Sequence, residues 1–376
     1  MNKTAIKNFA IWARNKLIAD IQYRAGLMGI TADGIKDPLP QSAAMMEFYD
    51  IGTAEPYAIT GNAIFQRKRL VEVIRKKEKD SDYATAYKYI LEEVAYTWFN
   101  RLIAIRFMEV NDYLPSHIRV LSSESGKIEP DLVTTPFDAE LGFTADEEDE
   151  ILRLKTENKL DELFRLLFIR QCNALNEILP ALFERTNDYT ELLLNLSVVD
   201  REGVVYHLIH DIEEDDFNIE KGGQVEIIGW LYQYYISERH DQIINIYKGT
   251  VKTEDVPAAT QLFTTDWVVR YMVDNSLGKY WIERNPQSSL RGKLKYLAVP
   301  KSGAVPHIDE KVEPQSLTFF DPCMGSGHIL IYAFEVLMDI YEECGYSARD
   351  AASEIVRHNL FGLDIDPRAY QLAYFS

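Results

Sequence analysis

One stretch of the sequence constrains the fold of this chain more than any other. The run SLTFFDPCMGSGHILIYAFEVLMDIY begins as a short apolar strand that ends at Asp321, turns at Gly325 and Gly327, and becomes an apolar helix at about His328. A strand, a glycine-containing turn and a helix in this order are typical of the first unit of a doubly wound sheet. The stretch therefore predicts an α/β domain in the last third of the chain.

The turn also has the features of a ligand site. Glycine at 325 and 327 permits a sharp turn and a close approach of ligand to backbone, and the free amides at the helix start can face polar groups. Asp321 can accept a hydrogen bond from the cationic amino group of a bound amino-acid moiety, whereas it would repel a phosphate. The turn lacks both the Gly-x-Gly-x-x-Gly pattern and the Walker lysine. These features favour S-adenosylmethionine over a dinucleotide.

A second strand and helix follow in NLFGLDIDPRAYQLA, with the strand over residues 360–365 and the helix opening at Pro367. Asp364 at the end of this strand can bind both ribose hydroxyls of a nucleoside, and Ile365 can pack on the adenine ring. Because SARDAASEIVRHNL inserts a helix, Asp321 and Asp364 are further apart than the ~20 residues of the dinucleotide fingerprint. Each pattern alone also fits an ordinary turn or strand end, but their order in one βαβ frame favours a cofactor site.

The preceding part of the chain reads as mainly helical. Apolar residues recur at helical spacing over 3–30, 71–74 and 83–110, and the aromatic block of 83–110, which includes Arg101 and Arg106, is interpreted as a buried helix rather than a nucleic-acid groove.

Three more helices are predicted from the same periodicity. One runs from about Glu147 to Ile178, where an acidic run suits the positive end of its dipole and Pro180 stops it. The others extend up to about Tyr247 and from about residue 266 to 282. We place the domain boundary near 250–258, which gives a mainly α N-terminal domain over 1–255 and an α/β domain over 256–376.

The overall charge is unfavourable for a DNA clamp. The chain has 40 basic and 59 acidic side chains and a formal charge of −19, so DNA contacts must come from local basic patches or from another part of the protein. Cys172, Cys323 and Cys344 lack the spacing of a disulfide framework or zinc site, and no apolar run reaches the ~18 residues of a membrane span. A reduced cytoplasmic location without membrane contact is expected.

The motifs resemble those of one enzyme family. DPCMGSGHIL resembles the first cofactor motif, Asp-Pro-Ala-Cys-Gly-Ser-Gly, of the adenine-specific DNA methyltransferases related to type I and type IIG restriction-modification systems, from which Cys323 and Met324 depart. NLFGLDIDP resembles their second motif. LFTTDWVVRYMV resembles the upstream Thr-Pro motif that borders the methionine part of the cofactor, with Thr264 as the threonine and Thr265 in place of proline. This motif order is that of the gamma group.

The helical region, including VEIIGWLYQYY, looks most like the PglX methyltransferases of the BREX phage-defence system. The resemblance implies a Rossmann-like methyltransferase domain, S-adenosylmethionine as cofactor, adenine in double-stranded DNA as substrate, and other phage-defence proteins as possible partners. The cofactor-binding residues that it implies are Thr264, Asp321, Cys323, Gly325, Ser326, Gly327, Asp364 and Ile365.

The family's catalytic motif is not found in this sequence. Members hold a flipped-out adenine with an Asn-Pro-Pro-aromatic motif, and the nearest string, RNPQSS at Asn285 and Pro286, precedes the glycine turn and is interpreted as a loop. We therefore expect an N-terminal fragment whose methyltransferase domain is truncated to its cofactor-binding half. Such a fragment is expected not to methylate DNA alone, and its sheet to keep unpaired edges and apolar faces.

Other interpretations remain open. A type IIG-like fused nuclease would need the loose Pro-Asp…Glu-x-Lys pattern of Asp131, Glu157 and Lys159, but Glu157 and Lys159 fall in a predicted helix rather than on strands. A non-catalytic cofactor-binding interaction module would use the acidic helical domain to dock partners. A methyltransferase acting on a small molecule or protein would share the same cofactor loops. His207 and His210 have no third metal ligand in view and are interpreted as structural.

Overall fold

The computed structural model describes residues 1–184, 188–246, 251, 255–261 and 264–376. By compactness these divide into two units, Met1–Ile227 and Ile228–Ser376. Helices dominate both units, so the expectation of a mainly α N-terminal domain is confirmed. The division falls just inside a helix that the sequence assigns to the end of the N-terminal domain, and the domain boundary near residue 255 stays a prediction.

The first unit contains nine of the helices and four short strands among its described residues. They are α1 (Lys3–Leu27), β1 (Ile30–Thr31), β2 (Gly34–Ile35), β3 (Met46–Tyr49), β4 (Tyr57–Thr60), α2 (Asn62–Glu78), α3 (Tyr83–Val110), α4 (Asp131–Thr134), α5 (Ala145–Thr156), α6 (Leu160–Leu175), α7 (Tyr189–Leu193), α8 (Val204–His210) and α9 (Glu214–Phe217). Single 3-10 turns cover Pro136–Ala139 and Ile219–Lys221.

Helix α3 forms the centre of this unit, packed against α1 and α2. From Tyr96 onward nearly every side chain of α3 is buried, which is the expected position of an aromatic-rich helix with apolar residues on all sides. Its two arginines are used internally. Arg101 donates to the carbonyls of Leu182 and Glu184, and Arg106 pairs with Glu109 at 2.7 Å. The aromatic block is thus interior rather than a nucleic-acid groove.

The single helix predicted over 147–178 is wrong, because the structure has two. Helix α5 begins with a capping box in which Thr144 and Glu147 satisfy each other's backbone amides, and its first turn is acidic as expected. The chain leaves helical geometry at Asn158, which takes a left-handed φ of 56°, and α6 then begins at Leu160. Asparagine is one of the few side chains that adopt this conformation readily, and the apolar stripe continues across the break.

Two β-hairpins were not predicted from the sequence. Strands β1 and β2 pair through Ile30–Ile35 and Thr31–Gly34, while β3 and β4 pair antiparallel from Met46–Thr60 to Tyr49–Tyr57. Both hairpins are too short to show an alternating pattern over several residues, which is the signal that reveals a strand in a sequence.

The second unit contains seven helices and two strands among its described residues. They are α10 (Glu226–Ile246), α11 (Val256–Thr260), α12 (Asp266–Val273), α13 (Lys279–Arg284), β5 (Phe319–Asp321), α14 (His328–Glu343), α15 (Ala348–Glu354), β6 (Leu360–Gly362) and α16 (Pro367–Phe375). Helix α10 begins two residues before the division. The helix predicted from 266 to 282 is present as α12 and α13, joined without a gap by a π turn over Asp274–Gly278.

Strands β5 and β6 form a parallel pair in which Phe319, Phe320 and Asp321 lie opposite Leu360, Phe361 and Gly362. Helices α14 and α15 connect them and pack on one side, over an apolar cluster that includes Leu337, Ile340 and Ile355. The predicted order of strand, turn, helix, inserted helix, strand and helix is therefore present. The starts at His328 and Pro367 also match the sequence prediction.

Candidate cofactor site

A cavity of about 680 Å³ lies at the carboxyl ends of β5 and β6. The carboxyl edge of a parallel sheet is where open α/β folds bind their ligands. Seven of the eight predicted site residues line this cavity, and Gly327 caps the adjacent helix α14. The lining residues are Tyr232, Pro257, Thr260, Gln261, Thr264, Met272, Phe319, Phe320, Asp321, Pro322, Cys323, Gly325, Ser326, Ile329, Asp364, Ile365 and Asp366.

The glycine turn has the backbone geometry that the sequence predicts. Gly325 and Gly327 both take positive φ, at 55° and 89°, where any side chain would be strained. A Cβ on Gly327 would also lie 3.1 Å from Cβ of Ala373, whereas one on Gly325 would meet open space. Conformation therefore explains both glycines, and close packing against α16 adds a second reason at Gly327.

Asp321 closes the first strand and faces the turn. Its Oδ1 accepts from the Cys323 amide at 3.0 Å, and its backbone carbonyl accepts from the Leu363 amide at 2.9 Å, which holds the two strand ends together. Its Oδ2 is buried and has no hydrogen-bond partner within the described part of the chain. A buried carboxylate oxygen without a donor is costly, so a donor from a bound ligand would relieve that cost.

Asp364 lies two residues beyond β6, which ends at Gly362 rather than at residue 365 as predicted, and it links both halves of the site. Its Oδ2 accepts from the Gly325 amide at 2.8 Å, and its Oδ1 accepts from the Asp366 amide at 2.8 Å. Each carboxylate oxygen has a second lone pair, so both can still accept from a ligand hydroxyl. The neighbouring Ile365 is 66% exposed at the cavity, where an apolar side chain can cover a flat ring.

Tyr232 and Asp366 are among the cavity residues that the sequence interpretation missed. The Tyr232 hydroxyl donates to Oδ2 of the buried Asp366 at 2.9 Å, and Arg368 pairs with the same carboxylate at 2.7 Å. Burial raises the pKa of Tyr232 well above its ordinary value, so the ring keeps its proton. Asp366 before Pro367 is a helix-cap pattern that the sequence does show, but nothing local reveals that Tyr232 packs against it.

Gly362 is a further functional candidate that the sequence does not identify. Its φ is ordinary, but a Cβ there would collide with Sδ of Met324 and lie 2.9 Å from Cδ1 of Leu330. The amide of Met324 donates to the carbonyl of Leu363 at 3.0 Å. The glycine turn therefore packs directly against the segment of the second strand, and a Cβ at position 362 would require the side chains of Met324 and Leu330 to move.

Thr264 lies at the start of α12 and lines the cavity, as does Met272 from the same helix. Leu262 and Phe263, the first two residues of the LFTTDWVVRYMV motif, lie outside the described residues. Behind the helix the fully buried Asp274 accepts from the Tyr332 hydroxyl and from the Tyr296 amide, both at 2.8 Å. These bonds fix the π turn, and with it the end of α12, against α14.

The charge of the cavity wall is one-sided. Its described lining contains three carboxylates, from Asp321, Asp364 and Asp366, and neither lysine nor arginine. The charge of Asp366 is compensated by an ion pair with Arg368, which is not itself a lining residue. A phosphate-bearing ligand would find no cation and two uncompensated acids, whereas a cationic ligand would be attracted.

The residues of the nuclease hypothesis are engaged in local structure. Asp131 accepts from the Ser123 hydroxyl at 2.7 Å and from the Glu124 amide at 2.9 Å. Glu157 and Lys159 pair with each other at 2.8 Å in the break between α5 and α6, not inside a helix as the sequence suggested, and not on strands. Across the described residues, no three His, Cys, Asp or Glu side chains are grouped so that they could hold a metal ion.

His207 and His210 both contact neighbouring side chains. His207 contacts Asp211 at 2.8 Å and its ring lies 4.1 Å from that of Trp12, while His210 stacks on Tyr206 at 3.9 Å.

None of the described helices is both long enough and apolar enough to span a bilayer.

No protein-family model matches the chain, but comparison with curated proteins identifies relatives. It is 46% identical over its whole length to the adenine-specific methyltransferase PglX of Lacticaseibacillus casei and 36% identical to the adenine-specific methyltransferase BrxX of Escherichia coli. A putative type II restriction enzyme and methyltransferase of Methanocaldococcus jannaschii is 23% identical over 73% of the chain and 24% of that protein.

These similarities relate the chain to proteins that are named adenine-specific methyltransferases. Among them it belongs to the PglX/BrxX family. The chain spans about a third of the length of the two curated relatives, 32% and 30% respectively.

Proposed function

We propose that the cavity at the ends of β5 and β6 binds S-adenosylmethionine, and that the protein containing this chain methylates adenine in double-stranded DNA as part of phage defence. The observation that carries the proposal is the cavity wall, whose described residues include three carboxylates and neither lysine nor arginine. S-adenosylmethionine carries a sulfonium and an ammonium group, which such a wall attracts. When bound, it would supply the electrophilic methyl group.

Each predicted residue has a role that its position permits. Asp321, with its unpartnered Oδ2, would accept from the ligand ammonium. Asp364 would accept from both ribose hydroxyls through the lone pairs that its backbone contacts leave, and Ile365 would cover the adenine ring. Thr264 would border the methionine part.

The remaining predicted residues belong to the glycine turn. Cys323, Gly325 and Ser326 would present the turn's backbone to the ligand, and Gly327 would hold the start of α14. In this proposal β5, β6 and their helices form the first part of a Rossmann-like methyltransferase domain.

Ligand choice is the direct test of the cavity. Calorimetric titration of the chain should show binding of S-adenosylmethionine and none of ATP or NAD, because both of these bring phosphates to an acidic wall. Asp321→Asn should weaken the binding, whereas Asp309→Asn, a carboxylate in an exposed loop, should leave it unchanged. Equal affinity for ATP, or equal affinity of both variants, would contradict the proposal.

The methylation itself requires the intact gene product, because the Asn-Pro-Pro-aromatic motif is not in these 376 residues. Labelled methyl groups from S-adenosylmethionine should appear in the methyladenine of digested duplex DNA, and Asp364→Ala should abolish the transfer. Label in cytosine, or in protein rather than DNA, would exclude adenine as the substrate. We also propose that other proteins of the defence system bind to this protein. Their capture by residues 1–255 would support this interaction.

A further inference from the structure

One helix of this acidic chain carries a clear excess of basic over acidic side chains. Residues 62–79 contain seven lysines or arginines and two acids, in a chain whose formal charge is −19. Helix α2 and the residue after its end thus carry a net positive charge, opposite to the net charge of the whole chain. Polyanions would be repelled by most of the surface and attracted here.

The exposed basic residues of α2 share one face of the helix. Lys68, Arg69, Arg75, Lys76 and Lys79 are all exposed and follow helical spacing. We call these five residues the basic stripe. From Lys68 to Lys79 it is about 16 Å long at the rise of an α-helix.

The opposite face of α2 is fixed in the core of the first unit. Ile64, Leu70 and Ile74 are buried. Arg67 donates to the carbonyls of Met28 and Lys36, both at 2.8 Å, and its guanidinium lies 4.0 Å above the ring of Tyr49. The stripe is therefore presented by a rigid element, so little conformational entropy is lost when a ligand binds.

The charges of the stripe are weakly engaged within the protein. Lys68 lies 3.5 Å from the carboxylate of the largely buried Glu47. Arg69 and Arg75 form exposed pairs with Glu72 and Glu78, and such surface pairs contribute little free energy. Lys76 and Lys79 have no carboxylate partner anywhere in the described ranges. Exchange of these contacts for phosphate contacts therefore costs little.

We propose that the basic stripe of α2 binds the phosphate backbone of double-stranded DNA. The choice of duplex DNA rests on the proposed function, and duplex DNA presents one negative charge per about 1.7 Å of its axis, so that several phosphates face a stripe of this length. An anionic membrane fits less well, because an interfacial helix inserts a broad apolar face, whereas Ile64, Leu70 and Ile74 of α2 are buried and only Phe65 of its large apolar side chains is exposed. The stripe holds the duplex without reading its sequence.

The test measures binding of a fluorescent DNA duplex to the full chain by anisotropy at several salt concentrations. A triple variant with Lys68→Gln, Arg69→Gln and Lys76→Gln removes three cations of the stripe. The matched control carries Lys7→Gln, Lys127→Gln and Lys301→Gln, three exposed lysines outside it. Loss of three phosphate contacts should lower the slope of log affinity against log salt by about 2.7, with the slope of the control unchanged.

Equal slopes for the stripe variant and the control would overturn the proposal, as would binding to phosphatidylserine vesicles without binding to DNA. Circular dichroism of each variant shows whether the fold is intact, and a variant that fails to fold is replaced by the single change Lys76→Gln, with an expected slope change of about 0.9. Titration with S-adenosylmethionine separates the two proposals. Its binding should be the same in the stripe variant and in the unaltered chain, and its absence in both would overturn only the cofactor assignment.

Discussion

Asp364 accepts a hydrogen bond from the backbone amide of Gly325 at 2.8 Å, which ties the end of the second strand to the turn that follows the first. One carboxylate thereby fixes the shape of the glycine turn and also lines the cavity beside it. The two features that the sequence places far apart in the chain thus act as one site.

Replacement of Asp364 by asparagine should weaken cofactor binding. The amide keeps the size of the side chain but removes the charge and one of the two acceptor oxygens, and hydrogen bonds to a charged group contribute about 1.5–3 kcal/mol. We expect affinity for S-adenosylmethionine to fall roughly 10- to 100-fold, measured by calorimetry. Asp309→Asn is the control, and an unchanged affinity of the Asp364 variant would show that the carboxylate does not contact the ligand.

Replacement of Gly362 by alanine should destabilise the second unit. The added Cβ collides with Met324 and Leu330, and overpacking of this kind costs about 1–3 kcal/mol. Gly292→Ala is the matched control, since a Cβ there meets open space and its φ is not in the left-handed region. Urea unfolding should give a lower midpoint for the first variant only. Equal midpoints would mean that the turn and strand are not packed as described.

Tyr332 should make stability fall at alkaline pH. Burial and its hydrogen bond to Asp274 raise the pKa of Tyr332 to about 12, compared with about 10 in the unfolded chain. The folded state therefore holds this proton more tightly. Its contribution is fully present below pH 10 and is lost as pH rises through 12. Tyr332→Phe removes this contribution. The free energy of unfolding, measured between pH 9 and 12, should therefore decline less steeply with pH for the variant than for the unaltered chain.

Truncation of Glu109 should destabilise the first unit strongly. Its carboxylate accepts from Arg106, from Ser122, and from the amides of Val120 and Leu121, all in the interior. Removal of one partner of a buried ion pair costs about 3–5 kcal/mol. Glu109→Ala should lower the urea midpoint far more than Glu129→Ala, an exposed control. A small effect would mean that water or Glu214 replaces the lost partner.

Local sequence patterns predicted the strands, turn and helices of the site but not the long-range hydrogen bonds that hold them in place. The strand end at Asp321, the helix starts at His328 and Pro367, and the inserted helix between the strands all depend on short-range patterns such as glycine turns and helix caps. Contacts between distant residues have no such pattern, and the bonds from Tyr232 to Asp366 and from Tyr332 to Asp274 are of this kind.

The errors in the first unit have a similar origin. An apolar stripe continues from α5 into α6, so periodicity alone predicts one helix, although the left-handed Asn158 separates two. The hairpins were missed because their strands are two to four residues long. Periodicity reports which face of an element is buried: Ile151, Leu154 and Phe164 of the stripe are buried as expected, whereas Leu152 is exposed.

The collision that a Cβ on Gly362 would make with Met324 has a consequence for how sequences of this family can vary. The two positions share one small volume, so a larger residue on the strand requires the residue in the turn to move aside or to become smaller. Substitutions at 362 and 324 should therefore occur together in evolution, and a chain with alanine at the first position should carry alanine or glycine at the second.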